Sequence, residues 1–278
     1  MATIGENVPN KSERADYCRT RYAEAKVQAK SQQPAAVARA CERLLMYLHR
    51  LGLTRRGSSL LDLGCGTGRL TVELAERGYG AYGVDINPDF IEIARNKART
   101  RGVSAHFMTA PAERIPFDDK YFDICIVYSV LEHVADWKKT INEVARILKP
   151  GGITFFSTTH ALYPLPNEVK YIPCLGYIPH RLRKRIIDVI AARFPKLFGY
   201  SLTPGRNWFT QTGLRKALFT VDLKQSWDIF DLINRQDIPP RFRFASWLLP
   251  LIKKLPYPYI RDIAHLPRPA VMLICQKD

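Results

Sequence analysis

The chain has 278 residues, 46% hydrophobic and 24% charged, the balance of an ordinary globular protein with room for one large domain or two small ones. Lys plus Arg number 42 against 26 for Asp plus Glu, and the excess is uneven: residues 1–160 hold 23 bases and 18 acids, residues 161–278 the other 19 bases and 8 acids. No apolar run approaches the about 20 residues of a membrane span, MATIGENVPNKSERAD lacks the apolar stretch of a secretory leader, and six scattered cysteines without a CxxC pair read as reduced thiols in a cytoplasmic protein with no zinc site.

Residues 1–34 are polar and charged and read as a loosely held helical arm; residues 1–57 as a whole form an expected N-terminal cap. From Pro34 to Leu53, Val37, Cys41, Leu44, Leu45 and Leu48 recur at helical spacing. Short apolar runs then alternate with amphipathic stretches. Strands are predicted at Ser59–Leu63, Ala81–Val84, Ala105–Met108, Phe122–Val130 and Ile153–Ser157, with helices at Arg69–Arg77, Pro88–Arg101 and Trp137–Leu148. This alternation predicts an α/β fold, a doubly wound, mostly parallel sheet with helices on both faces. Beyond His160 the rhythm breaks into two Pro-rich blocks, 161–207 and 236–269, read as insertions between late sheet elements of a domain spanning 58–278. Between them Thr210 is an expected N-cap for a helix through Leu218, and Phe219–Leu223 an expected sixth strand; Ala270–Cys275 closes the chain as the last.

The densest signal is LLDLGCGTG at 60–68, which joins the first strand directly to a helix. Glycines there let the chain turn tightly and let a ligand approach the backbone. The second strand ends in Asp85, 17 residues past Gly68, where an acid can accept both hydroxyls of an adenosine ribose. The spacing is G-x-G-x-G, with Arg69 where a dinucleotide site would have its last glycine. Asp62 ahead of the loop suits a cationic ligand end and not a pyrophosphate. A nicotinamide dehydrogenase is therefore disfavoured.

On these residues the sequence resembles the class I S-adenosylmethionine-dependent methyltransferases, in the group that includes quinone-biosynthesis methyltransferases. DLGCGTG at 62–68 is similar to the cofactor loop, VDIN at 84–87 to the ribose-binding stretch, IPFDDKYFDICIVYSVLEHV at 115–134 to the surroundings of the fourth strand, and RILKPGG at 146–152 to the turn into the fifth. The resemblance implies a seven-stranded sheet with an antiparallel last strand and S-adenosylmethionine as cofactor. It implies a cofactor site drawn from Asp62, Gly64, Cys65, Gly66, Gly68, Asp85, Ile86, Ala112, Glu113 and Ser129. Asp85 would bind the ribose hydroxyls and Ile86 would flank the adenine. Pro111 stands where relatives carry an acid for the adenine amine, which leaves that contact to the Ala112 backbone, with Glu113 as a substitute.

Methyl transfer to a hydroxyl is helped by a general base, and histidine is the usual choice near neutral pH. The acceptor end carries two, His133 and His160, alongside Tyr128, Ser129, Glu132, Thr159 and Tyr163. His133 belongs to an LEHV stretch that also serves simply to shape its loop. Quinone O-methyltransferases of the group carry an acid three residues before the Glu-His pair. Ser129 stands there instead, so no metal site is expected.

Two basic blocks remain. In His180–Leu197, Leu182, Ile186, Val189, Ile190 and Phe194 share one helical face behind Arg181, Arg183, Lys184 and Arg185; Arg241–Ile260 brackets Trp247–Leu249 with Arg and Lys. Either both fold over the site as a lid, apolar side inward, or they meet an anionic membrane surface, and the two can coexist. Nucleic acid is disfavoured, because no RNA-binding module is evident. The expectation is methyl transfer, to oxygen first, on a small-molecule, lipid-linked, quinone or glycan acceptor. A non-catalytic, cofactor-binding interaction module is the competing reading.

Overall fold

In a computed structural model, the residues described are 34–52, 57–165, 169, 172–194, 197, 205–237, 247, 249–254 and 270–278. The expected arm over residues 1–33 and most of the block 236–269 lie outside them.

Seven strands form one sheet in the order β3-β2-β1-β4-β5-β7-β6. They are β1 (Ser59–Leu63), β2 (Gly80–Asp85), β3 (Ala105–Thr109), β4 (Phe122–Tyr128), β5 (Leu148–Thr159), β6 (Gln225–Asp228) and β7 (Ala270–Gln276). The first five pair in parallel, while β7 runs antiparallel to both β5 and β6. Reversal between β1 and β2 on one side and β4 on the other opens the crevice where ligands bind in such sheets.

Successive strand residues face opposite sides, and both sides are covered. Leu61, Leu63, Cys125, Val127, Phe156 and Leu273 pack with Ile141 and Val144 of α4 (Trp137–Ile147) and with Leu214 and Leu218 of α6 (Gln211–Phe219). Leu60, Ile124, Ile126, Phe155 and Ile274 pack instead with Leu44 and Leu48 of α1 (Pro34–Arg50) and Leu74 of α2 (Arg69–Glu76). Ile91, Ala94 and Ala98 of α3 (Pro88–Arg101) close over Phe107. The far end of α1 is fixed by Arg50, whose two terminal nitrogens donate to Asp237 at 2.6 and 2.9 Å.

Three sequence expectations are corrected. The sixth strand is not Phe219–Leu223. Helix α6, capped as expected by Thr210 accepting from Gly213 N at 2.9 Å, runs to Phe219, and Asp222 then takes a left-handed conformation. Val221 and Leu223 are apolar because they wrap the helix end into the core, whereas β6 is the short, polar edge strand QSWD. The fourth strand stops at Tyr128, two residues early, because Ser129 also adopts a left-handed φ of 55°.

The third correction concerns α5 (His180–Arg193). The expected apolar face is split: buried Arg183 and Ile187 lead the inward side, Ile186 and Ile190 pack with them, and Leu182 and Val189 stay exposed. The Arg183 guanidinium stacks on Trp208, 4.7 Å from the ring centroid, and donates to Gly176 O at 3.3 Å. Burial without an acid pulls its pKa down. A cation–π contact thus places a base where binary patterning predicts an aliphatic residue.

Candidate active site

The loop after β1 turns by left-handed glycines: Gly64, Gly66 and Gly68 have φ of 73°, 54° and 68°. At Gly64 the conformation is required twice over, since a Cβ would also run into Val130 Cγ2. Gly64 N and Cys65 N both donate to Val84 O, at 2.7 and 3.0 Å, which ties the loop to the end of β2. Behind it, buried Asp62 accepts from Thr71 Oγ1 at 2.7 Å. That bond holds the Asp62 carboxylate against α2.

Asp85 closes β2 with its carboxylate fixed by two backbone donors. Gly66 N donates to Oδ2 at 2.8 Å and Asn87 N to Oδ1 at 2.9 Å. An ionised carboxylate oriented by amide hydrogens keeps lone pairs on both oxygens for further donors, as a vicinal diol requires. Ile86 beside it is 69% exposed. A carboxylate acceptor beside a bare aliphatic side chain is what a ribose diol and an adenine face would need, so the residues present fit a sulfonium nucleoside cofactor.

The 110–119 stretch completes this side. Ala110 N donates to Asp85 O at 3.1 Å, and Ala112 is partly buried. Glu113 Oε1 accepts from Ala135 N at 2.9 Å and Asp136 N at 3.3 Å. One of its oxygens is thereby engaged in joining this stretch to the start of α4. Arg146 of α4 holds the same stretch by donating to Ile115 O and Phe117 O, and pairs with Glu143, whose pKa is held down mainly by that guanidinium.

At the acceptor end, Ser129 is exposed and its N–H donates to Ser157 O at 2.8 Å. A non-glycine residue in this conformation stores strain, as residues at ligand-facing strand ends often do. A single turn follows, with His133 N donating to Val130 O at 2.9 Å, and leaves the His133 ring half-buried. Glu132 turns inward instead: it is buried, and its Oε2 accepts from Thr158 Oγ1 of β5 at 2.7 Å.

His160 sits differently. It is buried, bridges to Phe209 through its backbone, and its Nδ1 accepts from Leu162 N at 3.0 Å. A neutral imidazole that accepts at Nδ1 carries its proton on Nε2, and in that tautomer it has no lone pair left to take another. The geometry therefore separates the two histidines.

Pattern reading missed what holds the turn. Asn207 Nδ2 donates to Leu131 O at 3.0 Å and Val134 O at 2.9 Å, and Arg206 N donates to Glu132 O at 2.8 Å. The strap 205–210 is in turn tied to α5 by the Arg206–Asp188 ion pair at 2.8 Å and by Trp208 beneath Arg183. An asparagine amide has donors enough to clamp two carbonyls, but nothing in its sequence position announces which ones.

Set beside known proteins, residues 61–156 match the family described as "Methyltransferase domain". Residues 61–156 form a class I S-adenosylmethionine-dependent methyltransferase domain. The domain's cofactor is S-adenosylmethionine. The chain is 37% identical over 106 residues to a ubiquinone biosynthesis O-methyltransferase of Coxiella burnetii, covering 38% of this chain and 45% of that protein. It is 39% identical over 104 residues to a ubiquinone/menaquinone biosynthesis C-methyltransferase of Idiomarina loihiensis, covering 35% and 41%. The chain thus spans less than half the length of these curated relatives. The structure of a methyltransferase from Methanosarcina mazei shares the fold, with a TM-score of 0.52 at 20% identity over 82% of this chain and 96% of that one.

Proposed function

We propose that the protein transfers a methyl group from S-adenosylmethionine to a hydroxyl oxygen of a small-molecule or lipid-linked acceptor, with a quinol as the first class to test. The observation that carries the reading is the Asp85 carboxylate, held by Gly66 N and Asn87 N beside a left-handed glycine turn and an exposed Ile86. Gly64, Gly66 and Gly68 would line the cofactor, with Asp62, Cys65 and Ser129 around its amino-acid end. Asp85 would take the ribose, and Ile86, Ala112 and Glu113 the adenine. When bound, the cofactor supplies an electrophilic methyl on a sulfonium, so the chain need only align the nucleophile and exclude water.

His133 is the proposed base. It stands on the turn directly after β4, and Asn207 holds that turn through the carbonyls of Leu131 and Val134. His160, with Nδ1 occupied by Leu162 N–H, serves to position the segment after β5. Quinone-type acceptors are favoured by the relatives, whose names give quinone biosynthesis. One of these is a C-methyltransferase by name, which keeps carbon transfer as a second reading.

The test is incubation of the purified chain with methyl-labelled cofactor and a panel of demethylated quinols, lipid extracts and glycans. Label in an O-methyl product, located by mass spectrometry and NMR, is the expected result. Label on ring carbon would favour the second reading, and label in glycan alone would move the acceptor out of the quinone class. Failure of every acceptor, with the cofactor bound, would favour the non-catalytic interaction module.

A further inference from the structure

We propose that the outward face of α5 is a docking surface for an anionic phospholipid bilayer. Arg183 and Ile187 face inward and pack with Val169, Leu175 and Trp208, so the inner face already has its partners. The outward face is left with Leu182 at 52% and Val189 at 55% exposure, and Phe194, just past the helix end, is exposed as well. Leu182 and Val189 lie seven residues apart, two turns along one side of the helix. Ile186, Ile187 and Ile190 supply the inward packing, and Leu182 and Val189 are left outside it.

The charges flank that apolar stripe. Arg181, Lys184, Arg185 and Arg193 are exposed, and the helix has no acid in its first turn. Its one acid, Asp188, is taken by Arg206. Bases crowded at a helix N-terminus oppose the helix dipole, which favours anions there. The arrangement is unfavourable in isolation and is relieved by a negatively charged surface. Long basic side chains that reach phosphates while aliphatic neighbours enter the acyl boundary are the working parts of an interfacial helix.

A second copy of the chain is a poor occupant, because pairing this face with itself would set four bases against four. A bilayer carrying phosphate headgroups satisfies both the charge and the apolar stripe. The proposal does not depend on which acceptor is methylated, and its readout is separate from turnover.

The experiment is co-sedimentation of the full chain with phosphatidylglycerol–phosphatidylcholine vesicles and with pure phosphatidylcholine vesicles. Binding to the mixed vesicles, at least tenfold weaker to the neutral ones and suppressed at about 0.5 M salt, is expected. Replacing three surface bases together (R181Q/K184Q/R185Q) is expected to weaken binding about a hundredfold, at roughly a factor of five per charge. L182S/V189S should weaken it without changing its salt dependence. S-adenosylhomocysteine affinity and melting temperature, unchanged in both variants, show that the fold is intact. Equal binding to neutral and anionic vesicles, no binding to either, or wild-type binding by the triple variant would overturn the proposal.

Discussion

The two halves of the molecule are held together by different means. From Ser59 to Thr159, strand pairs and two apolar layers carry the structure, and few side-chain contacts are needed to fix the path of the chain. Among the described residues from Ala161 to Thr210, a small apolar cluster around Val169, Leu175 and Ile187 is joined to the rest by single polar contacts: Asn207 on the 131–134 turn, Arg206 on Asp188, Arg183 on Trp208. The first arrangement tolerates sequence drift as long as apolar periodicity is kept. The matched domain lies within the first half, and the strap that holds the 131–134 turn lies in the second.

If that contrast is right, the largest effect comes from the acceptor end. His133→Ala should lower kcat about a hundredfold or more with the KM for the acceptor little changed, as expected for loss of a general base. His160→Ala should instead lower the melting temperature and leave a measurable kcat. Equal losses of kcat in both would erase the distinction drawn between the two rings.

Next is the glycine turn. Gly64→Ala puts a Cβ at φ 73° and into Val130 Cγ2, and should cost about 3 kcal/mol in urea unfolding. Gly64→Ala combined with Val130→Ala should recover the overpacking part but not the backbone part. Full recovery would mean that φ contributes nothing.

Asn207→Ala should be milder in stability, about 1–2 kcal/mol for two lost bonds to carbonyls that water can reach in part. It should nevertheless reduce kcat, because the turn bearing His133 loosens. A fall in stability with kcat untouched would confine the strap to a structural role.

The smallest effect separates the halves by pH. The Glu143 pKa is lowered by Arg146, so the pair's contribution is present above the unfolded carboxylate pKa and is lost as pH falls through the folded one. Glu143→Gln should cost about 1 kcal/mol at neutral pH and nearly nothing in strong acid, read from denaturant melts at both. An equal cost at both pH values would show that packing, not charge, is what Glu143 supplies.

Legibility follows the same divide. Strands β1, β2, β4 and β5 and the helices between them were readable because short continuous apolar runs and stretches of period 3.6 are direct images of burial on both sheet faces. The tight turn after β1 was readable because its glycines, Gly64, Gly66 and Gly68, take the left-handed φ the spacing suggested. Strand β6 was not: QSWD is an edge strand with one neighbour and little apolar content, and the apolar FTVDL before it only wraps a helix end. The burial of Arg183 on the inward side of α5 was not readable, because it depends on a stack on Trp208, a contact between residues 25 apart. The Glu132–Thr158 bond and the Asn207 clamp left no trace in the pattern, since each depends on chain segments meeting in space.

The buried thiols follow from packing alone. Burial raises the Cys125 pKa and pushes Cys275 up to about 12, as small apolar residues in strands require, whereas Cys174 is exposed.

The central claim is that Asp85 and the glycine turn form the cofactor site. Calorimetric titration with S-adenosylhomocysteine, wild type against Asp85→Ala, tests it most directly. Micromolar binding by the wild type and a loss of about a hundredfold or more in the variant is the predicted result, with the variant still melting cooperatively. Equal affinity of the two proteins would contradict the account.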